Sequence, residues 1–474
     1  MLIQSLLDTD LYKLSLQNAV RHHFPQAQVE YRFTNRGRTP FTRRMHDAVL
    51  VAIKDLGTLR VTSSEVEWLK TNCPYFTPEY LDYLSKFRFD PDQQVKVDFV
   101  VENTDEEGVE SGRFEIEIKG GWAATILYEC QAHVAVSSPY QVPVMAILSE
   151  VYFTKVDTAW DYRGQFGWSR RLSRSLMSST DEGCHLPSSE QAKEKGRQLF
   201  LGGCLTSEFG TRRRRSFKAQ EIIIRGLMAA HDEYASGEGR GKLSGTSNIF
   251  LAMKYGLMPI GTIAHEWIMG IAALHGYEKS NALAMRLWDE CYPSKALSVA
   301  LTDTFSTKPF FDDFVADPER SRTWRGLRQD SGVSWSDPLD FIPMAKEAFL
   351  RVGADPKTKV IVFSDGLDVP TCLKLKKASD LAGVGCSFGV GTNLTNDFRR
   401  TASPIAPAED DGSGPVREQG EKSKALNMVI KMYRINDKFC IKISDDLTKN
   451  TGDAAEVERA KQILHLGKPQ VQDA

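Results

Sequence analysis

Between Cys204 and about Phe398, short apolar runs alternate with helical segments such as Lys218 to Ala235, Ser280 to Cys291 and Pro370 to Leu381. Spacing of that kind predicts β-α units and a parallel sheet. Many of the apolar runs stop abruptly at polar residues: SEFGTRRRRS (Ser207 to Ser216), LSGTSN (Leu243 to Asn248), GTIAHEW (Gly261 to Trp267), LTDTF (Leu301 to Phe305), GLRQDSG (Gly326 to Gly332), VFSDGL (Val362 to Leu367) and SFGVGTNLTNDF (Ser387 to Phe398). A parallel α/β barrel builds an active site in this way, because the loops at its C-terminal face converge on one mouth. The pattern therefore predicts an enzyme, with His265 at the end of a buried strand.

The N-terminal part has a different rhythm. An amphipathic helix from about Asp10 to Arg21 precedes strand-like stretches at Val29 to Phe33, Val95 to Val101 and Phe114 to Ile118, with a helix at Ser63 to Thr71 between them. This predicts a mixed α/β domain over residues 1–140, followed by helices from about Val142 to Val156. The second unit, 141–425, is expected to be an irregular α/β barrel. Two stretches inside it, 166–190 and 401–424, lack periodicity and read as inserted surface loops. In a third segment, 426–474, Asn427 to Ile435 and Phe439 to Ile443 form a hairpin over Asn436-Asp437. That hairpin should pack on the first domain, and a last helix spans about Ala454 to His465. No internal repeat is present.

Composition narrows the function class. The chain of 474 residues is 41% hydrophobic, enough for a sizeable core in two domains. Lys plus Arg total 60 against 62 for Asp plus Glu, so there is no general field to attract nucleic acid or an anionic membrane. The eight cysteines are scattered without the paired spacing of zinc sites or redox dithiols and predict reduced thiols in the cytoplasm. No apolar run reaches the roughly 20 residues needed to span a bilayer. Asp8 and Asp10 fall where a signal peptide would be basic and then apolar, so no cleaved leader is expected.

Candidate chemistry gathers at the run ends. His265 follows Gly261 and Thr262 and stands beside Glu266, which is expected to orient its imidazole. The residues alone leave it as base, ligand or phosphoryl acceptor. Gly391 and Thr392 in GVGTN suggest a phosphate cradle of backbone N–H groups and a hydroxyl. Of Arg212 to Arg215, only one or two can face a pocket, and Arg212 is nearest the turn. Arg328 and Asp330 pair an anion binder with a carboxylate able to hold sugar hydroxyls, with a structural salt bridge as the alternative. Asp365 is placed for a ribose or magnesium. Tyr12 and Phe209 are core aromatics or two planes for a flat heteroaromatic ring.

Taken in order, LLDTDLYK, YRFTNR, SEFGTRRRRS, GTSN, GTIAHEW, LTDTF, RQDSG, SDGLD, GVGTNLTNDF and KISDD resemble the nicotinate phosphoribosyltransferase family from about Ser5 to Asp453. The resemblance implies a type II phosphoribosyltransferase barrel and a homodimer with sites at the subunit interface. It also implies synthesis of nicotinate mononucleotide from nicotinate and 5-phosphoribosyl 1-pyrophosphate, with Mg2+ and coupled ATP hydrolysis. His265 then matches the histidine that ATP phosphorylates, and Tyr12 the tyrosine reaching the pyridine ring across the dimer. Phe209 matches the aromatic on the other face of the ring, Thr262 and Arg328 match nicotinate-binding positions, and Thr392 matches a contact to the phosphoribosyl substrate. Ser247 stands where nicotinamide-using relatives carry an acid. The family's usual acid after RQDSG is replaced by Val333-Ser334. A nicotinamide- or quinolinate-using enzyme and a catalytically silent homologue are the competing readings. The expected location is the cytoplasm, with the nucleus as a second compartment.

Overall fold

The computed structural model describes residues 5–106, 108–128, 189–214, 217–331, 338–397, 428–445 and 450–466. The expected helices at Val142 to Val156, the boundary near residue 140, the loop 401–424, and Val333 and Ser334 lie outside the described residues, as does the stretch 166–188. Residues 189 and 190 already belong to the helix Ser189–Leu201.

The first sheet is antiparallel. It comprises β1 (Gln28–Asn35), β2 (Phe41–Thr42), β3 (Val95–Thr104), β4 (Glu110–Gly121) and two late strands, β11 (Met428–Ile435) and β12 (Lys438–Phe439), in the order β12-β11-β1-β4-β2 with β3 on β4. In β4, Phe114, Ile116 and Ile118 are buried and Arg113 and Glu115 exposed, the period-2 alternation of a sheet with one wet face. The hairpin over Asn436 and Asp437 forms, but its second strand is the short Lys438–Phe439 rather than the expected Phe439 to Ile443. Both turn residues take positive φ, 44° and 64°, which a tight two-residue turn requires and short polar side chains tolerate. β11 pairs antiparallel with β1 from Val29↔Ile435 to Asn35↔Met428. The helix Ala454–Ile463 reaches the barrel side, where Tyr277 donates to Glu456 at 2.6 Å.

The second sheet is parallel throughout: β5 (Leu205–Glu208), β6 (Lys242–Thr246), β7 (Val299–Leu301), β8 (Gly326–Gln329), β9 (Val360–Phe363) and β10 (Gly385–Val390), in the order β6-β5-β10-β9-β8-β7. Helices follow these strands with sequence-coded ends. Asp368 caps the helix Val369–Ala382 through the Thr371 N–H, Pro370 occupies its first turn, and Gly383 closes it in the left-handed conformation. Asn248 likewise caps Ile249–Tyr255, with left-handed Gly256 after it.

One expected strand is absent. Residues 257–264 make a single parallel bridge, Thr246↔Pro259, and otherwise run irregularly into the helix His265–His275. Pro259 has no N–H to continue a ladder, and the backbone at Gly261 meets Leu11 and the Tyr12 amide, where a Cβ would sit 3.0 Å from each. His265 is therefore the first residue of a helix rather than the last of a strand.

Candidate active site

The described C-terminal ends of the parallel strands, with the loops after them, carry most of the predicted site residues. The densest group is centred on His265. Its Nδ1 lies 3.0 Å from Thr304 Oγ1, and its Nε2 lies 3.1 Å from Lys442 Nζ, 3.4 Å from Asp330 Oδ2 and 3.8 Å from Asp303 Oδ1. Asp303 Oδ2 accepts from Lys442 at 2.8 Å and from Ser331 at 2.6 Å, while its buried Oδ1 has no hydrogen bond among the described residues.

Arg328 anchors the neighbouring half. Its Nε donates to Ser364 Oγ at 2.8 Å and its Nη1 to Thr262 Oγ1 at 3.0 Å, and its Nη2 is 3.1 Å from Asp330 Oδ2. Ser364 in turn donates to Asp330 Oδ1 at 2.6 Å. A guanidinium has five N–H donors, so these contacts leave one on each terminal nitrogen for a ligand.

Charge states follow from this geometry. Burial, and next the Lys442 ammonium, push the His265 imidazole below its usual value, against the opposing pull of Asp303 and Asp330. The ring is thus neutral near pH 7, with Nε2 able to accept from Lys442. Burial would raise Asp330, but Arg328 and His265 outweigh it and hold the carboxyl well below the ordinary range. Asp303 is lowered against burial in the same way, by His265 and Lys442.

A second group lies beside Tyr12. Asp10 accepts from Ser247 Oγ at 2.6 Å and lies 3.8 Å from Arg212 Nε. The Arg212 guanidinium is 5.7 Å from the centre of the Tyr12 ring. Arg212 is about half exposed, whereas Arg214 is buried and structural, paired with Asp8. Arg213 is held to about 10 by burial and by the neighbouring Arg212 and Arg36, with Asp365 opposing. Asp365 itself is exposed, one residue beyond Ser364.

The third group is the SEFGT turn against GVGT. Phe209 lies directly over Gly389, where a Cβ would approach its ring to 2.3 Å, and a Cβ at Gly391 would meet the Phe209 carbonyl at 2.9 Å. These glycines make room for Phe209. Thr392 is exposed at the start of the short helix Thr392–Thr395. Glu208, fully buried, holds the turn by accepting from the Gly210 N–H, from Gln220 at 2.8 Å and from Thr246 at 2.7 Å.

Glu266 does not touch the His265 ring. It faces away and accepts from Lys13 at 2.7 Å, Trp122 at 2.8 Å and Tyr31. Position along the helix explains this, since adjacent residues project about 100° apart. Sequence reasoning also passed over Lys442, Asp303, Thr304 and Ser364 as individual residues. Each lies inside a run that carried the resemblance, and that was the available signal.

Residues 7–137 match the model of the nicotinate phosphoribosyltransferase N-terminal domain, and residues 204–468 that of the nicotinate phosphoribosyltransferase family. The chain belongs to the nicotinate phosphoribosyltransferase family. The Methanosarcina mazei nicotinate phosphoribosyltransferase is 38% identical over 98% of this chain and 98% of its own length. That of Saccharomyces cerevisiae is 36% identical over 98% of this chain and 95% of its own. A crystal structure from that yeast matches at a TM-score of 0.80 and 36% identity, covering 98% of this chain and 99% of the other. The crystal structure of the Porphyromonas gingivalis nicotinate phosphoribosyltransferase matches at 0.75 and 31%, covering 98% and 100%. Both likenesses carry the two-part α/β architecture of the family. Among the described residues no helix is long and apolar enough to cross a membrane.

Proposed function

We propose that this chain transfers the phosphoribosyl group of 5-phosphoribosyl 1-pyrophosphate to nicotinate, giving nicotinate mononucleotide and pyrophosphate for NAD salvage. The observation that carries this reading is the Thr262–Arg328–Asp330–Ser364 cluster at the barrel mouth, joined to His265. In the transfer, the bond from ribose C1 to pyrophosphate breaks with its electron pair leaving on oxygen. The lone pair of the pyridine nitrogen forms the new bond to C1. That nitrogen carries no proton to be removed, so the step needs charge stabilisation more than a base. The two spare N–H groups of Arg328 receive the nicotinate carboxylate. Asp330, kept ionised, and Asp365 face the electron-poor ribose, while Arg212 and Thr392 take phosphate oxygens. Tyr12, reaching across a homodimer, and Phe209 flank the ring.

His265 accepts the γ-phosphoryl group of ATP: an N–P bond forms as the bond to the bridging oxygen breaks and ADP leaves. Its neutral ring supplies the lone pair, and Lys442 beside Nε2 pairs with the charge gained. Magnesium fits this mouth as a cation that keeps waters and uses one or two carboxylates plus substrate phosphates. Asp303, with an oxygen lacking a hydrogen bond, and Asp330 are the carboxylates to hold it, and no group of three or more His, Cys, Asp and Glu suited to a metal occurs among the described residues. When bound it would neutralise charge on the departing pyrophosphate.

The test incubates the protein with nicotinate, 5-phosphoribosyl 1-pyrophosphate and Mg2+, with and without ATP, beside a His265→Ala variant, and follows mononucleotide and ADP by chromatography. ATP-stimulated product, with stimulation lost in the variant, is expected. Preference for nicotinamide or quinolinate, or ligand binding without product, would replace this reading with another.

A further inference from the structure

The helix that begins with His265 has no side-chain cap of its own. Its N-cap residue is Ala264, which makes no side-chain hydrogen bond to the first turn. What fixes that turn is Glu266, the second helical residue, through three donors from three separate segments of the N-terminal part. Lys13 comes from the helix Leu11–His23, Tyr31 from β1, and Trp122 from the short helix Trp122–Thr125 that follows β4. All four side chains are buried. The packing around them is equally close, since a Cβ at Gly270, one turn along the helix, would lie 2.5 Å from the Trp122 ring. Meanwhile His265, one residue earlier, points into the opposite cluster and touches Thr304, Lys442 and Asp330. Two adjacent residues therefore tie the same helical turn to two different bodies of the protein.

We infer that Glu266 is a positioning residue for the phosphoryl-accepting histidine, through which the N-terminal domain sets the angle of the helix and hence the aim of the His265 ring. The inference rests on the proposed phosphorylation of His265. A carboxylate suits the task because it satisfies an ammonium, a phenol and an indole at once, each from a fixed direction, and two oxygens have the lone pairs for three bonds. A neutral amide of the same shape keeps the volume but turns one acceptor into a donor facing Lys13 or Tyr31 and Trp122.

The experiment measures acid-labile, base-stable labelling of the full chain by γ-labelled ATP, together with ATP-free transfer in the same preparations. Compared are wild type, His265→Ala, Glu266→Gln, the charge-balanced pair Glu266→Gln with Lys13→Met, and Tyr31→Phe. Misaiming a reacting group by a fraction of an ångström costs about tenfold to a hundredfold, so the labelling rate should fall by that factor in Glu266→Gln. ATP-free kcat and the KM for 5-phosphoribosyl 1-pyrophosphate should move far less. Tyr31→Phe, which retains the ring and removes a single bond, should lower labelling about threefold and serves if the charge variants fail to fold. Equal labelling of wild type and variants, or an equal loss of labelling and ATP-free transfer, would overturn the inference alone. A wild type that takes no label on His265 would overturn the phosphohistidine reading and this one with it.

Discussion

Lys442 Nζ lies 3.1 Å from His265 Nε2, although 177 residues separate them. The contact is delivered by the stretch after β12, which lies along the barrel loop through Phe305↔Ile443, with Asp445 accepting from Ser306, from Thr307 Oγ1 and from the Thr307 N–H. Because the ammonium is one of the causes lowering the imidazole, Lys442→Met should raise the His265 pKa. On the proposed phosphorylation of His265, the neutral ring is the competent form and is lost as pH falls through that pKa. The acid limb of ATP stimulation, recorded between about pH 5 and 8, should therefore move to higher pH in the variant. An unmoved limb would show that the ammonium does not govern the ring.

Arg328 is the predicted determinant of acid specificity. Arg328→Ala removes the proposed partner of the nicotinate carboxylate and strips Asp330 of its ion pair with Arg328. Leaving such a charge unpaired costs about 2–5 kcal/mol, which at about 1.4 kcal/mol per tenfold is a rise of roughly 30-fold to several thousand-fold in KM for nicotinate. Arg328→Lys should recover little, because one ammonium cannot serve Ser364, Thr262 and Asp330 in their present directions. Steady-state kinetics against nicotinate and nicotinamide check both.

Gly389→Ala places a methyl group where the Phe209 ring now lies. The ring must swing away, so the expected outcome is a higher KM for nicotinate with the KM for 5-phosphoribosyl 1-pyrophosphate little changed. Unaltered constants for both would show that Phe209 does not flank the ring.

Glu208→Ala would leave the Thr246 hydroxyl, the Gln220 amide and the Gly210 N–H without their acceptor. An orphaned buried donor costs about 1–3 kcal/mol, so a lower thermal midpoint is expected, read by calorimetry. Glu208→Gln should lose less, since burial already raises this carboxyl toward its neutral form.

Much of the fold is written in local patterns. The helix Ser280–Cys291 and the hairpin at Asn436-Asp437 follow from periodicity and turn chemistry alone. The stretch before His265 misleads because an apolar run is equally suited to a strand and to a buried irregular segment. What decides between them is the contact of Gly261 with Leu11 and Tyr12, about 250 residues away. Glu266 misleads for a related reason: adjacency in sequence suggested a direct contact with the imidazole that helical geometry forbids. The residues of the mouth were legible as a set through ordered motifs, whereas the role of Lys442 depends on a chain crossing that no local pattern encodes.

The pairing of β11 with β1 has a consequence for the order of assembly. During synthesis the first sheet waits, with the β1 edge open, until residues more than 390 positions later emerge to fill it. The same late segment brings Lys442 to the imidazole. A ribosome-bound chain lacking that segment thus has neither a finished first sheet nor the Lys442 partner of His265, so the cluster at the barrel mouth is complete only when the last strands of the other sheet have arrived.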